Sequence, residues 1–386
     1  VESSLKKIGI LAFVNKNAGG VLQYTQSLID ALIQDKSRKY IVFIDPLTED
    51  INTYDLEVRK INTSNPGLLI KLLRAILLFF LIRKPFFEKV KKSLINDIDL
   101  FICPRVIMYT QFFAEKPFIL TLHDLQELYY PDFFSIQEKV TRFVVTRFLS
   151  RKAEKIICES KYVKNDIIKF LKVDDNKIAV IPAPPPISFI NFKVSDEKEK
   201  IVKKKYSLPD EYLYYPASFW PHKNHLILIK AFKIVSKLHR NLFLVLSGAK
   251  QKNFPDVIKS INDMKLQDRV LYTGYVDYDD LPYLYVLSKM LVMPSLFESI
   301  SIPVYEAFAL KIPVCSSNVV ALPEQVGDAG LLFNPNDEND IAAKIITLLN
   351  DDNLRVKISN NGYNKIKEYS HDNYNKQLMD LINSIL

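Results

Sequence analysis

The feature that most constrains this chain is an alternation, run through twice, of short β-rich runs with longer stretches of helical period. Residues 7–14 (KIGILAFV) read as a strand, 21–34 as a helix and 40–44 as a strand. Strands are expected again at 100–103, 118–122 and 155–158, then a helix at 164–171 and a strand at 178–181. Four prolines in IPAPPPI, residues 181–187, stop the pattern, because proline continues neither a helix nor a central strand. After a charged stretch at 196–205, expected as a solvated helix, the alternation restarts. Strands are expected at 212–216, 242–247, 270–273, 290–293 and 313–316, with helices at 225–237, 255–264, 281–288 and 302–310. Strands separated by helices imply a mainly parallel sheet covered on both faces. The expected fold class is therefore α/β: two Rossmann-like, doubly wound parallel-sheet domains joined near residue 185 and facing a central cleft. In such sheets ligands sit beyond the carboxyl ends of the strands, so the residues just after each strand are the ones to read for function.

The 48% hydrophobic and 25% charged shares of 386 residues exclude disorder and low complexity. The net charge of +8 is uneven: residues 1–186 carry 28 basic and 21 acidic side chains, the remainder 24 and 23. A basic first half suits anionic headgroups or phosphorylated substrates. Nucleic acid is not expected, because the aromatics do not interleave with a basic stripe in any recognisable module. Cys103, Cys158 and Cys315 have no metal-like spacing and read as reduced thiols of a cytoplasmic protein. No secretory signal is visible. The apolar run LLIKLLRAILLFFLI at 68–82 has 15 residues, too few to span a bilayer, and Arg83, Lys84, Lys89, Lys91 and Lys92 follow it. From Leu68 to Lys92 the chain reads first as a core helix, with an interfacial helix facing an anionic membrane as the alternative; the expected location is cytoplasmic, with peripheral attachment at the inner face on that alternative.

Four places carry chemistry. Gly19 and Gly20 follow the first strand and precede a helix, where backbone N–H groups favour phosphate. His123 and Asp124 follow the strand FILTL; the histidine can donate to a substrate hydroxyl or shuttle a proton, and a carboxylate beside it can orient it. Lys223 stands between a strand and a helix, next to Asn224 as the expected cap. A cation at a helix amino terminus opposes the dipole unless an anion joins it, which points to phosphate. Last, Glu298 and Glu306 follow the strand that ends at Met293; carboxylates suit vicinal sugar hydroxyls, and the amides of Ser299, Ile300, Ser301 and Ile302 suit a phosphate or sugar oxygen. His222 and His225 lack supporting metal ligands, and Asp174–Asp175, Asp279–Asp280 and Asp351–Asp352 read as loop or capping acids, so no metal is expected.

These segments together resemble the retaining family-4 glycosyltransferases of the GT-B fold. The resemblance runs from the glycine loop through KAEKIICESKYVKNDIIKFLKV and HKN, and is densest in VLYTGYV, PSLFESISIPVYEAFALKIPV and ALPEQVGDAGLLFNP. It implies an acceptor-side domain at 1–185, a nucleotide-sugar domain at 186–364, and a closing helix at 365–386 that crosses back to the first. It also implies that Lys223 neutralises the donor diphosphate, Glu298 holds the donor sugar, Glu306 the nucleoside ribose, and His123 touches the sugar near its reacting face. Glu298, His123 and Lys223 are thus the catalytic candidates. Gly19 and Gly20 would close over the phosphates, Gly274, Tyr275 and Val276 would wall the base, and Asp124 falls on the acceptor side.

Three positions depart from the family pattern. Ala217, Ser218 and Phe219 stand where an arginine is usual, which leaves Ser218 as a donor-binding candidate; Ser301 and Lys311 replace glycines. The expected function is metal-independent transfer, with no cofactor, of a sugar from a GDP- or UDP-linked donor to a glycan or lipid-linked saccharide of a cell-surface polysaccharide such as lipopolysaccharide. Mannose is the first expectation, from the resemblance of the HDL and FWPHKNH segments to mannosyltransferases. The departures keep a non-catalytic sugar-nucleotide-binding scaffold open as an alternative, beside an epimerase of the same fold.

Overall fold

Residues 5–14, 19–45, 48, 51–61, 94–107, 110 and 113–386 are described by the structure, a computed structural model. The stretch 68–92, read as a core or interfacial helix, lies outside the described residues. The chain divides into two units, Val1–Pro184 with His371–Leu386, and Pro185–Ser370.

In the first unit the strands are β1 Lys7–Leu11, β2 Lys39–Ile44, β3 Glu57–Lys60, β4 Leu100–Cys103, β5 Phe118–Thr121, β6 Lys155–Cys158 and β7 Ile178–Val180. In the second they are β8 Tyr212–Pro216, β9 Phe243–Ser247, β10 Val270–Tyr272, β11 Met290–Met293, β12 Val314–Ser317 and β13 Leu331–Phe333. The sheet orders are β3-β2-β1-β4-β5-β6-β7 and β10-β9-β8-β11-β12-β13, and every pairing is parallel. The fold class is thus the expected one, two Rossmann-like parallel sheets. Each order reverses once, between β1 and β4 in the first sheet and between β8 and β11 in the second, and the carboxyl edge at such a reversal is where a crevice opens.

Strand alternation sorts side chains to two cores. On one face of the first sheet Phe43, Phe101, Leu120 and Ile156 pack with Phe113 and Leu149. On the other, Ile10, Val42, Leu100, Ile102 and Ile119 pack with Leu28, Ile29 and Leu32 of the helix Gly20–Leu32 and with Tyr374, Leu378 and Ile382 of the closing helix His371–Asn383. The second sheet is covered by one continuous core that includes Leu228, Phe232, Val304, Phe308, Ile341 and Ile345. Cys103, Cys158 and Cys315 are buried within these cores.

Some elements escaped the sequence pattern. The helix Ile136–Lys152 opens with a capping box, in which the Ser135 side chain accepts from the Glu138 N–H while Glu138 accepts from that of Ser135. The helix expected at 164–171 begins earlier, at Lys161–Asp166 behind the cap Ser160, and continues as a π-helical turn, Ile167–Leu171. β3, β13 and the helices Glu338–Asn350 and Asp352–Lys365 were likewise not expected. Asp351 caps the last of these by accepting from the Leu354 N–H. No described helix is long and apolar enough to cross a membrane.

Candidate functional site

The second unit's reversal brings the ends of β8 and β11 side by side, since Leu213 and Tyr214 pair with Met290 and Leu291. Lys223 follows the first of these strands and Glu298 the second. Their side chains meet, Lys223 Nζ donating to Glu298 Oε1 at 2.5 Å, with both groups largely sheltered. Around them the backbone is tied down: the Tyr215 hydroxyl donates to the Lys223 carbonyl at 2.7 Å, and the Leu296 N–H donates to the His222 carbonyl at 2.8 Å.

Asn224 does not cap as expected. It sits at the start of the helix His225–Leu238 in the left-handed region, φ 58°, and its side chain makes no capping bond. Its amide instead donates to the carbonyls of Pro294 and Pro335, at 3.0 and 2.8 Å, which tethers the helix start to the segments after β11 and β13. His225 is fully buried and stacked on Phe219, ring centroids 4.2 Å apart. Burial pulls its pKa down to about 3, so it is neutral at ordinary pH.

Glu306 lies inside the helix Ile302–Ala309, buried, and accepts from the Tyr285 hydroxyl at 2.5 Å. Tyr285 was not foreseen; it comes from the helix Leu281–Val286, and burial followed by the Glu306 charge raises its pKa far above the ordinary value. The loop before Glu306 is held by a second unforeseen residue. Gln325 accepts from the Ser301 N–H at 2.8 Å and donates to the Ser301 carbonyl at 2.7 Å, all of it buried. This corrects one expectation: the Ser301 amide, expected to serve a ligand, is already spent on Gln325.

The departures have local explanations. Ser301 has φ −112°, an extended conformation that any residue adopts, so glycine is not required there. Lys311 has φ 57°, closing its helix by a Schellman turn in which the Lys311 N–H reaches Phe308 and the Ile312 N–H reaches Ala307. That left-handed position favours glycine. Where an arginine is usual, Ala217 is buried under Gly248, whose own added Cβ would lie 2.6 Å from the Ala217 carbonyl, and Phe219 is wholly inside the core. Ser218 is half-buried beside them. Gly274 has φ 79°, its carbonyl accepts from the Gly248 N–H, Tyr275 is exposed and Val276 is buried.

In the first unit, Gly19 has φ 54°, and Gly20 begins the helix Gly20–Leu32, whose first turn holds no acidic residue. An added Cβ on Gly19 would meet nothing within 4 Å. His123 follows β5, but its partner is not Asp124. Nδ1 lies 2.7 Å from Glu159 Oε2 and Nε2 lies 2.9 Å from the Pro104 carbonyl. Burial opposes the charged ring, yet the Glu159 carboxylate, with Asp124 and the Pro104 carbonyl adding, carries the His123 pKa above its ordinary value. Asp124 accepts from the Gln126 N–H and faces Arg142, which also pairs with Glu127 at 2.8 Å. Among the described residues no group of His, Cys, Asp or Glu is arranged to hold a metal ion.

Comparison with known proteins follows the division of the chain. The family model "Glycosyltransferase Family 4" matches residues 18–184, and "Glycosyl transferases group 1" matches residues 196–365. The "O-antigen chain mannosyltransferase B" of Escherichia coli is 30% identical over 230 residues, covering 59% of this chain and 60% of that protein. The "O-antigen chain mannosyltransferase RfbU" of Salmonella typhimurium is 31% identical over 219 residues, 57% of each. The chain thus spans about 60% of the length of the curated relatives it matches. In fold it is similar to the sucrose-phosphate synthase of Thermosynechococcus elongatus, with TM-score 0.79 and 19% identity over 98% of this chain and 99% of that one. It is also similar to Anabaena HepE in complex with UDP-glucose, with TM-score 0.76 and 19% identity over the same shares.

The Gln325 clamp makes a prediction. Gln325→Leu strands the buried Ser301 N–H, whereas the Ser301 carbonyl still accepts from the Val304 and Tyr305 N–H groups, so the change should cost about 1–3 kcal/mol. Urea denaturation of the purified chain measures it; an unchanged midpoint would mean that the loop is held by something else.

Proposed function

We propose, for a chain that belongs to the family-4 type of glycosyltransferase with GT-B fold, that it moves a sugar from a nucleotide-linked donor to a glycan or lipid-linked saccharide of a cell-surface polysaccharide. The observation that carries this reading is the meeting of Lys223 and Glu298 at the carboxyl edge of the second sheet. The names of the two bacterial O-antigen relatives favour mannose as the sugar, with a GDP-linked donor first and UDP-linked donors next.

The chemistry follows from where charge develops. As the bond from the sugar's anomeric carbon to the diphosphate breaks, the carbon becomes oxocarbenium-like and the leaving oxygen gains negative charge. Lys223, at the open end of the helix His225–Leu238, is the cation for that oxygen, so the reading calls for no metal ion. An arriving diphosphate would draw Lys223 away from Glu298 and free that carboxylate for the sugar hydroxyls. Glu306, oriented by the Tyr285 hydroxyl, is the carboxylate that would accept from the ribose hydroxyls. The acceptor oxygen then bonds to the anomeric carbon on the face the diphosphate leaves, its proton passing to a diphosphate oxygen, and configuration is retained. Water must be kept out during this exchange to prevent hydrolysis.

A scaffold that binds nucleotide without transfer is the second reading. It is favoured by Ala217 and Phe219, which pack inward where a further cation would assist the leaving group.

Transfer of labelled sugar, followed by product analysis, separates the two. Lys223→Ala and Glu298→Ala should each lower turnover by about 100-fold or more, the scale of losing one charge-stabilising group. Retained turnover in either would remove that residue from the mechanism. For the basic apolar stretch 68–92 the reading is contact with an anionic membrane surface. Reversing Lys89, Lys91 and Lys92 should weaken co-sedimentation with phosphatidylserine vesicles, and unchanged sedimentation would sink this part.

A further inference from the structure

His123 and Glu159 come from neighbouring strands. β5 and β6 pair Thr121 with Ile157, so two residues further on His123 stands beside Glu159, just past both carboxyl ends. The ring is then fixed from both sides, by the Glu159 carboxylate at Nδ1 and the Pro104 carbonyl at Nε2. Tyr24 of the helix Gly20–Leu32 meets the ring edge-on, centroids 4.8 Å apart, and is itself tied to Thr121 at 2.9 Å.

Both of these neighbours are acceptors. A neutral imidazole has one N–H and one lone pair, so beside an ionised Glu159 it would turn that lone pair against an acceptor oxygen. A ring protonated at both nitrogens satisfies both contacts at once. Glu159 is 5% exposed, and a carboxylate so deep is stable only when paired. Other charged or titratable groups face the pair without replacing either partner. Asp124 is turned to Arg142, Glu127 is held by Arg142, and Tyr24 and Tyr374 are buried with pKa values pushed upward, burial being the main cause in both. Cys158 is buried in the strand before Glu159.

Resting on the glycosyl-transfer reading, we propose that Glu159 is a positioning residue that keeps His123 a hydrogen-bond donor at both nitrogens. His123 then gives a hydrogen bond from Nε2 to a substrate hydroxyl oxygen, in place of the Pro104 carbonyl. It does not act as the base that removes the acceptor's proton. That proton goes to the leaving diphosphate, and no bond to His123 is made or broken.

The test reads the ring directly. In the 15N spectrum of the histidine-labelled full chain, with His123 assigned through His123→Asn, both ring nitrogens should be protonated at about pH 7.5 and titrate above the ordinary value of about 6.5. Glu159→Gln keeps an acceptor but loses the charge, and should lower the His123 midpoint by about one unit or more. The alkaline limb of kcat/KM should move down with it, while Glu159→Asp, which keeps the charge, should hold both near the wild type. A singly protonated wild-type ring, or a midpoint unmoved in Glu159→Gln, overturns the proposal. If the variants fail to fold, the wild-type spectrum alone decides between a doubly and a singly protonated ring. A doubly protonated His123 in a chain that transfers no sugar would overturn the transfer reading, and Glu159's part in it, while the pairing itself stood.

Discussion

A parallel strand cannot reach its neighbour through a tight turn; the chain must cross over, and every strand of the sheet then delivers its carboxyl end to the same edge. All pairings in both sheets are parallel, so this single constraint decides where chemistry can gather. Residues 75 positions apart, Lys223 and Glu298, meet because the strands before them are neighbours at the point where strand order reverses. His123 and Glu159 meet by the same rule in the other sheet.

Around these edges the structure spends its buried polar bonds on fixing backbone. Tyr215 holds the Lys223 carbonyl, Asn224 bridges two prolines, and Gln325 closes both hydrogen-bonding groups of Ser301. In a low-dielectric surrounding such bonds are costly to leave unmade, which is why they hold position. A site that must stabilise developing charge gains from this, because its dipoles need no reorganisation at the moment of reaction. On the proposed reading, the ion pair between Lys223 and Glu298 is the part that would exchange, a diphosphate taking the cation and the sugar hydroxyls the carboxylate.

The alternation of strands and helices was legible because it is local: apolar runs of four to six residues such as KYIVFI and YLYYP are buried on both faces and announce themselves. The helix Ile136–Lys152 was less so, since its apolar positions are divided between core and surface; its best signal was Ser135 followed by Glu138. Lys223 and Glu298 are legible as candidates because each is a charged residue that follows an apolar strand; their contact depends on which strands are neighbours. Glu159, Tyr285 and Gln325 stayed hidden for one shared reason. Each acts on a residue 20 or more positions away, through a contact that only sheet register or helix packing creates. For Glu159 the register was in principle readable, since it follows its strand as His123 follows the neighbouring one. Asp124 was the nearer carboxylate in sequence, but it is turned to Arg142.

The most direct measurement is a thermal-shift series of GDP, UDP, ADP and dTDP on the wild-type chain and on Lys223→Ala, since a ligand that binds only the folded form raises its midpoint. One nucleoside diphosphate should stabilise the wild type clearly more than the others, and its effect should be lost or sharply reduced when Lys223 is removed. Equal stabilisation of both proteins, or none of either by any of the four, would contradict a diphosphate site at Lys223.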